Sequence, residues 1–197
     1  MQKNICVFDV DGIIVDSSNE CLIIAWNAYQ EYIGSRDFIN SPEEANLDYD
    51  KKFRITRNYV RAMGEYLVVF ESRYKVIDSQ IDYEDKLLAL NKENLARYGK
   101  IFFRTRELFK EKNYPFWLSL HSYYEGIKSI LSRCSKDGNL YIVTGKDKAS
   151  AEGLLSQINI QVNSDKIFHM NLSLNKLESL KKIATIENVD YNKIHFL

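Results

Sequence analysis

Residues 5–17 read Ile5-Cys6-Val7-Phe8-Asp9-Val10-Asp11-Gly12-Ile13-Ile14-Val15-Asp16-Ser17. Residues 5–10 are mostly apolar and rich in branched side chains, which predicts a short buried strand. Asp11-Gly12 breaks it. Ser17 or Ser18 then offers a helix cap, with Glu20 in the first turn. Leu22, Ile23, Trp26, Ala28, Tyr29, Tyr32 and Ile33 follow at helical spacing, and Gly34 ends the run.

The same alternation returns after Tyr123. A helix is expected over 126–134, a turn at Asp137-Gly138, a strand over 140–144 and a helix over 149–157. A strand over 166–170, a helix over 176–186 and a strand over 193–197 complete the series. Strands separated by helices pair in parallel. The fold class is therefore α/β, a doubly wound parallel sheet. Residues 35–118 differ. Ser41-Pro42-Glu43-Glu44 reads as a helix start, and long helices are expected over about 52–74, 82–97 and 98–112. Val60, Met63, Leu67 and Phe70 would share one face, and Leu87, Leu88, Asn91 and Leu95 another. Residues 1–17 and 119–197 thus form the α/β core, and 18–118 a helical insert. Tyr114-Pro115 marks the return from one to the other.

Lys plus Arg equals Asp plus Glu, so the formal charge is zero. That balance asks for neither nucleic acid nor an anionic membrane as partner. Aromatic residues reach 13%, as thirteen Tyr, ten Phe and two Trp, with no basic stripe beside them. Packing is the reading of that excess. Cys6, Cys21 and Cys134 are far apart in sequence and lack metal-ligand spacing, which suits reduced, buried thiols. His121, His169 and His195 are isolated. The start of the chain lacks a signal pattern, and no stretch approaches the roughly 18 apolar residues of a membrane span. The expected location is cytoplasmic.

Asp9 and Asp11 fall at the carboxyl end of the first strand, where open parallel sheets bind ligands. In an ideal strand the two side chains would point to opposite faces. Gly12 allows a sharp turn that can bring both carboxylates to one point. Such a pair repels unless a hard cation such as Mg²⁺ relieves it. A nucleophile, a proton donor and a screening cation are the parts that phosphoryl transfer needs. By itself Asp-x-Asp-Gly is also an ordinary turn; the full strand before it and the helix cap after it favour a site.

Residues 7–17 resemble the first motif of the haloacid dehalogenase-like hydrolases, in the phosphoglycolate-phosphatase-like branch. The resemblance implies Asp9 as a nucleophile that forms an aspartyl-phosphate. It implies Asp11 as general acid and then base, and both residues as Mg²⁺ ligands, Asp11 through its main-chain carbonyl. Dehalogenases of the family lack the second Asp, so Asp11 favours a phosphatase or a phosphomutase. Ile13 stands where Thr is frequent.

The second motif of the family matches Leu140-Tyr141-Ile142-Val143-Thr144-Gly145. The Thr144 hydroxyl, with the Gly145 and Lys146 amides, would bind phosphate oxygens; a helix cap is the alternative role for Thr144. The third motif is a lysine, for which Lys176 is the first choice and Lys146 the competitor. The family usually has Lys-Pro there, and this chain has Lys176-Leu177. The fourth, acidic motif would begin just past Leu197, so the resemblance implies a chain truncated before it. The insert occupies the place of the family's helical cap, which excludes water and selects the substrate. Arg54, Arg57, Arg61, Arg104 and Arg106 are its candidates to meet an anionic substrate, although most would be solvated. The implied activity is Mg²⁺-dependent hydrolysis of a small phosphorylated metabolite. A phosphomutase and a non-catalytic binding protein of the same fold are the alternatives.

Overall fold

The computed structural model describes residues 3–71, 76–169 and 175–197. The chain divides into two compact units, residues 1–17 with 122–197 and residues 18–121.

The first unit is built on a four-stranded sheet. Its strands are β1 (Ile5–Phe8), β4 (Leu140–Thr144), β5 (Ile167–His169) and β6 (Ile194–Phe196), in the order β5-β4-β1-β6. Every pairing is parallel, with Cys6 opposite Leu140, Ile5 opposite Ile194 and Ile142 opposite Ile167. The expected doubly wound α/β sheet is present. The expected strand over 166–170 is shorter, and Met170 lies outside the described residues. Among the described residues, three α-helices accompany the sheet: α7 (Ile127–Lys136), α8 (Lys148–Gln157) and α9 (Lys176–Glu187). One sheet face buries Ile5, Val7, Tyr141 and Val143 against Ile183 of α9, with Leu180 and Phe168 beside them. Both neighbours of β1 are parallel strands, so β1 is buried on two edges as well as two faces. A continuous apolar run is the sequence such a strand requires.

A small antiparallel pair, β2 (Val15–Asp16) with β3 (Ser122–Tyr123), joins the two places where the core chain leaves and returns. Two-residue strands carry no periodicity, so the sequence does not predict this pair. The Tyr123 hydroxyl donates to the Leu154 carbonyl at 2.6 Å and ties the pair to α8.

A polar cluster closes the end where the strands begin. Tyr141 donates to Glu187 at 2.6 Å, Lys3 pairs with Glu187 at 3.0 Å, and Lys166 lies 3.7 Å from it. Lys3 and Lys166 also both donate to the Gly138 carbonyl. None of the three cysteines is in a disulfide, but only Cys21 is buried, contrary to the expectation for all three. Cys6 meets Cys134, and burial first and that contact second push the Cys6 thiol up to about 11.

The second unit is helical: α1 (Ser18–Tyr32), α2 (Leu47–Thr56), α3 (Leu67–Glu71), α4 (Gln80–Ala89), α5 (Lys92–Lys112) and α6 (Tyr114–Ser119). No helix among the described residues is long and apolar enough to cross a membrane. Leu22, Ala25 and Ala28 of α1 pack in one cluster with Phe53, Tyr66, Phe70, Tyr98 and Phe102. Tyr29 stacks on Phe70 at 4.1 Å, and Tyr66 on Phe102 at 5.3 Å. Such pairs add about 1 kcal/mol each beyond the area they bury. The Tyr98 and Tyr49 hydroxyls are satisfied by the Ala25 and Leu22 carbonyls.

The expected single helix over 52–74 does not form. Val60 and Ala62 are extended, and a short 3-10 turn, Met63–Tyr66, intervenes. The Glu65 carboxylate accepts the amides of Arg61 and Ala62, so this stretch has its own cap in mid-run. Val60, Met63, Leu67 and Phe70 nevertheless meet one cluster, as their spacing implied. The boundary expected between 97 and 98 lies instead at Leu90-Asn91, where Asn91 caps α5 by accepting the Glu93 amide at 2.8 Å. Leu88 is therefore exposed rather than on a buried face. Ser41-Pro42-Glu43-Glu44 starts only a 3-10 turn; Asn46 caps the helix that follows.

Gly64 sits in the turn that presses on α5. A Cβ there would lie 2.4 Å from the Leu95 carbonyl oxygen, and a Cβ at Gly99 would lie 3.3 Å from Gly64. Gly64→Ala is expected to destabilise the protein by about 2 kcal/mol or more, because main chain must move to admit the methyl. Urea unfolding of the two proteins measures this, and equal midpoints would show that the turn adapts freely.

Glu187 gives a pH-dependent test. Burial disfavours its charge, but the Tyr141 and Lys3 hydrogen bonds and the Lys3 and Lys166 charges outweigh burial and hold its carboxyl below the usual range. A lowered native pKa contributes stability above the unfolded-state value and loses it as pH falls through the native value. Glu187→Gln should therefore be less stable at neutral pH, by about 0.5 kcal/mol for a solvent-screened cluster. The gap should close in acid. A gap that persists below the carboxylate range would assign the loss to packing.

Candidate active site

The site is assembled where β1 and β4 end. Asp9 follows β1 directly, and its amide donates to the Leu197 carbonyl at 2.9 Å. The chain then folds back: Ile14 and Val15 both donate to the Val10 carbonyl, and the Gly12 amide donates to Val15 at 2.8 Å. Gly12 has φ +83°, a conformation that side-chain-bearing residues rarely adopt. The turn is thus closed by main-chain bonds, with Asp9 and Asp11 on its rim.

Both carboxylates are paired with lysines. Lys176 Nζ donates to Asp9 Oδ2, and Lys146 Nζ lies 3.2 Å from Asp11 Oδ1. The Asp9 Oδ1 atom accepts the Val10 amide at 2.7 Å. Burial raises the Asp9 carboxyl above its ordinary value despite the Lys176 bond, and the Asp11 charge pushes the same way. Two like charges so placed are tolerated only with cations at hand. Lys176 is the first residue of α9, fixed by a capping box in which Asn175 accepts the Glu178 amide. Its ammonium also lies over the Phe196 ring.

From the sequence, Lys176 is the first choice and Lys146 its competitor. The structure brings both to the aspartates, one to each. Thr144 ends β4 and is fully buried; its Oγ1 accepts the Lys146 amide at 3.1 Å, which leaves its own proton to donate. It is not a helix cap, since Asp147 caps α8 through the Ser150 amide at 2.9 Å. Gly145 borders open space, where a Cβ would meet nothing within 4 Å.

No group of three or more His, Cys, Asp or Glu among the described residues could hold a metal ion. The two carboxylates remain a hard-oxygen pair with part of each side chain accessible, 15% at Asp9 and 27% at Asp11. That donor set suits Mg²⁺, which is commonly bound by one or two carboxylates with water and substrate oxygens.

The arginines expected to meet an anion are mostly engaged within the helical unit. Arg54 pairs with Asp50, Arg104 with Glu31, and Arg106 with Glu20 through two bonds, while Arg61 binds main-chain carbonyls. His121 is buried, with Nδ1 3.0 Å from the Trp117 carbonyl.

No family model matches the chain, and no curated protein matches it in sequence. Solved structures do match. A haloacid dehalogenase-like family hydrolase from Streptococcus pneumoniae superposes with a TM-score of 0.59 at 14% identity, covering 98% of this chain and 74% of that one. A predicted phosphoglycolate phosphatase from Haemophilus somnus 129pt gives 0.56 at 15% identity, over 100% and 76%. A HAD-superfamily hydrolase of subfamily IA from Geobacter sulfurreducens gives 0.53 at 16%, over 98% and 77%. With its parallel sheet and the paired aspartates at the end of the central strand β1, the chain has the haloacid dehalogenase-like fold.

Proposed function

We propose that the chain is a phosphatase of small phosphorylated metabolites that works through an aspartyl-phosphate on Asp9. The observation that carries this reading is the pair Asp9 and Asp11 at the rim of one glycine turn, each against its own lysine. A half-buried carboxylate with one oxygen tied to the Val10 amide turns the other toward its lysine partner. Asp9 attacks phosphorus, a bond forms from its carboxylate oxygen, and the bond to the ester oxygen breaks. Asp11 supplies a proton to that leaving oxygen. It then takes a proton from the water that attacks the aspartyl-phosphate, which returns Asp9 and releases phosphate. Lys176 screens the approach of the phosphate to Asp9. The Thr144 hydroxyl donates to a phosphate oxygen. Asp9, with the main-chain carbonyl of Asp11, would hold a Mg²⁺ ion, whose chemistry is to screen phosphate charge. The helical unit is the part proposed to select among substrates.

Hydrolysis of 4-nitrophenyl phosphate with Mg²⁺ tests the reading. Asp9→Asn is expected to abolish turnover, and Asp11→Asn to lower it by about 10²–10⁴-fold. Acid-quenched wild type should carry one phosphoryl group by intact mass, and Asp9→Asn none. Equal rates for wild type and Asp9→Asn would remove Asp9 as the nucleophile.

A further inference from the structure

The proposed chemistry uses Lys176 and leaves Lys146 without a task, yet Lys146 is the more deeply buried of the two. Its side chain is 1% exposed, against 41% for Lys176. Lysine almost never reaches such burial unless it is paired. A buried ion pair is also a poor way to gain stability, because an apolar residue of similar volume is often as good or better. The residue's place is therefore best sought in the site.

Its direction is set by the loop it belongs to. β4 ends at Thr144, whose Oγ1 holds the Lys146 amide, and one residue later Asp147 begins to cap α8. The main chain is pinned on both sides of Lys146, and the side chain runs to Asp11 Oδ1 at 3.2 Å. Asp9 has its own fixed contacts, the Val10 amide and Lys176.

We infer that Lys146 is a positioning residue for Asp11, holding its carboxylate at the angle from which it reaches the leaving-group oxygen. This rests on the phosphatase reading above. The two lysines divide the site: Lys176 serves the nucleophile and the incoming phosphate, and Lys146 serves the proton-transfer residue. Lys146 transfers no proton itself. The proton moves from Asp11 to the ester oxygen as that oxygen's bond to phosphorus breaks.

The division has a consequence that a structural lysine lacks. An alkoxide leaves badly unless protonated, whereas 4-nitrophenolate leaves without help. Misplacing Asp11 therefore harms alkyl phosphates selectively. Lys146→Met is expected to lower kcat on β-glycerophosphate by about tenfold more than on 4-nitrophenyl phosphate, within the range of general-acid effects, with KM little changed. Lys146→Arg, which keeps the charge, should restore much of the difference. In an Asp11→Asn background, adding Lys146→Met should cost no further activity on either ester, because Lys146 acts through Asp11. That double variant also carries neither buried charge, so it serves if the single variant does not fold. Equal losses on both esters, or a further loss in the Asp11→Asn background, would overturn the assignment. These results are distinct from failure of the phosphatase reading, which shows as full activity in Asp9→Asn.

Discussion

Two carboxylates two residues apart on one strand end repel each other. At 4 Å and the effective dielectric near a protein surface, two unit charges interact by about 4 kcal/mol. Opposite charge brought from elsewhere in the chain offsets such repulsion. β4 brings Lys146 to Asp11, and the start of α9 brings Lys176 to Asp9. Two negative charges and two positive ones then occupy the end of the sheet. The parallel order β5-β4-β1-β6 makes this possible, since it places β1 in the middle and its loop beside the loop that follows β4.

The four core strands were legible because each is a short run of branched or aromatic residues, interrupted by a histidine in β5 and β6, flanked by turn or helix signals. The placement of Asp9, Asp11 and Thr144 at strand ends was legible for a related reason: each lies at or just past the point where such a run stops. The choice between Lys146 and Lys176 was not legible. One lies two residues past Thr144 and the other starts a helix after the third core strand, and sequence distance cannot show that both reach the same turn. Lys146 stood as the competitor because of its place directly behind Thr144-Gly145; that it pairs with Asp11 while Lys176 pairs with Asp9 depends on the fold.

The helical unit was harder to read for a different physical reason. Its apolar spacing was right, since Val60, Met63, Leu67 and Phe70 do share one cluster. The break between them depends on Glu65 capping two amides upstream and on Gly64 lying against Leu95. The first is a side-chain choice among several possible partners. The second is a contact with a helix thirty residues away. Helical propensity over 52–74 had no access to either, and tertiary contact overrode it.

Two ion pairs differ in how far they are closed off from solvent. Glu20 and Arg106 are both nearly inaccessible, joined by bonds of 2.7 and 3.1 Å, with the Trp117 indole nitrogen 3.4 Å from the same carboxylate. Every element there comes from the helical unit, and both charges are closed off from solvent. Such a pair can orient α1 and α5 but cannot meet a ligand. Lys146 and Asp11 are asymmetric: the cation is closed off and the carboxylate keeps a quarter of its side chain accessible. A fixed cation behind an accessible carboxylate orients that group for something arriving from outside. On the proposed reading, this asymmetry, more than the presence of a buried charge, is what would separate a working pair from a structural one.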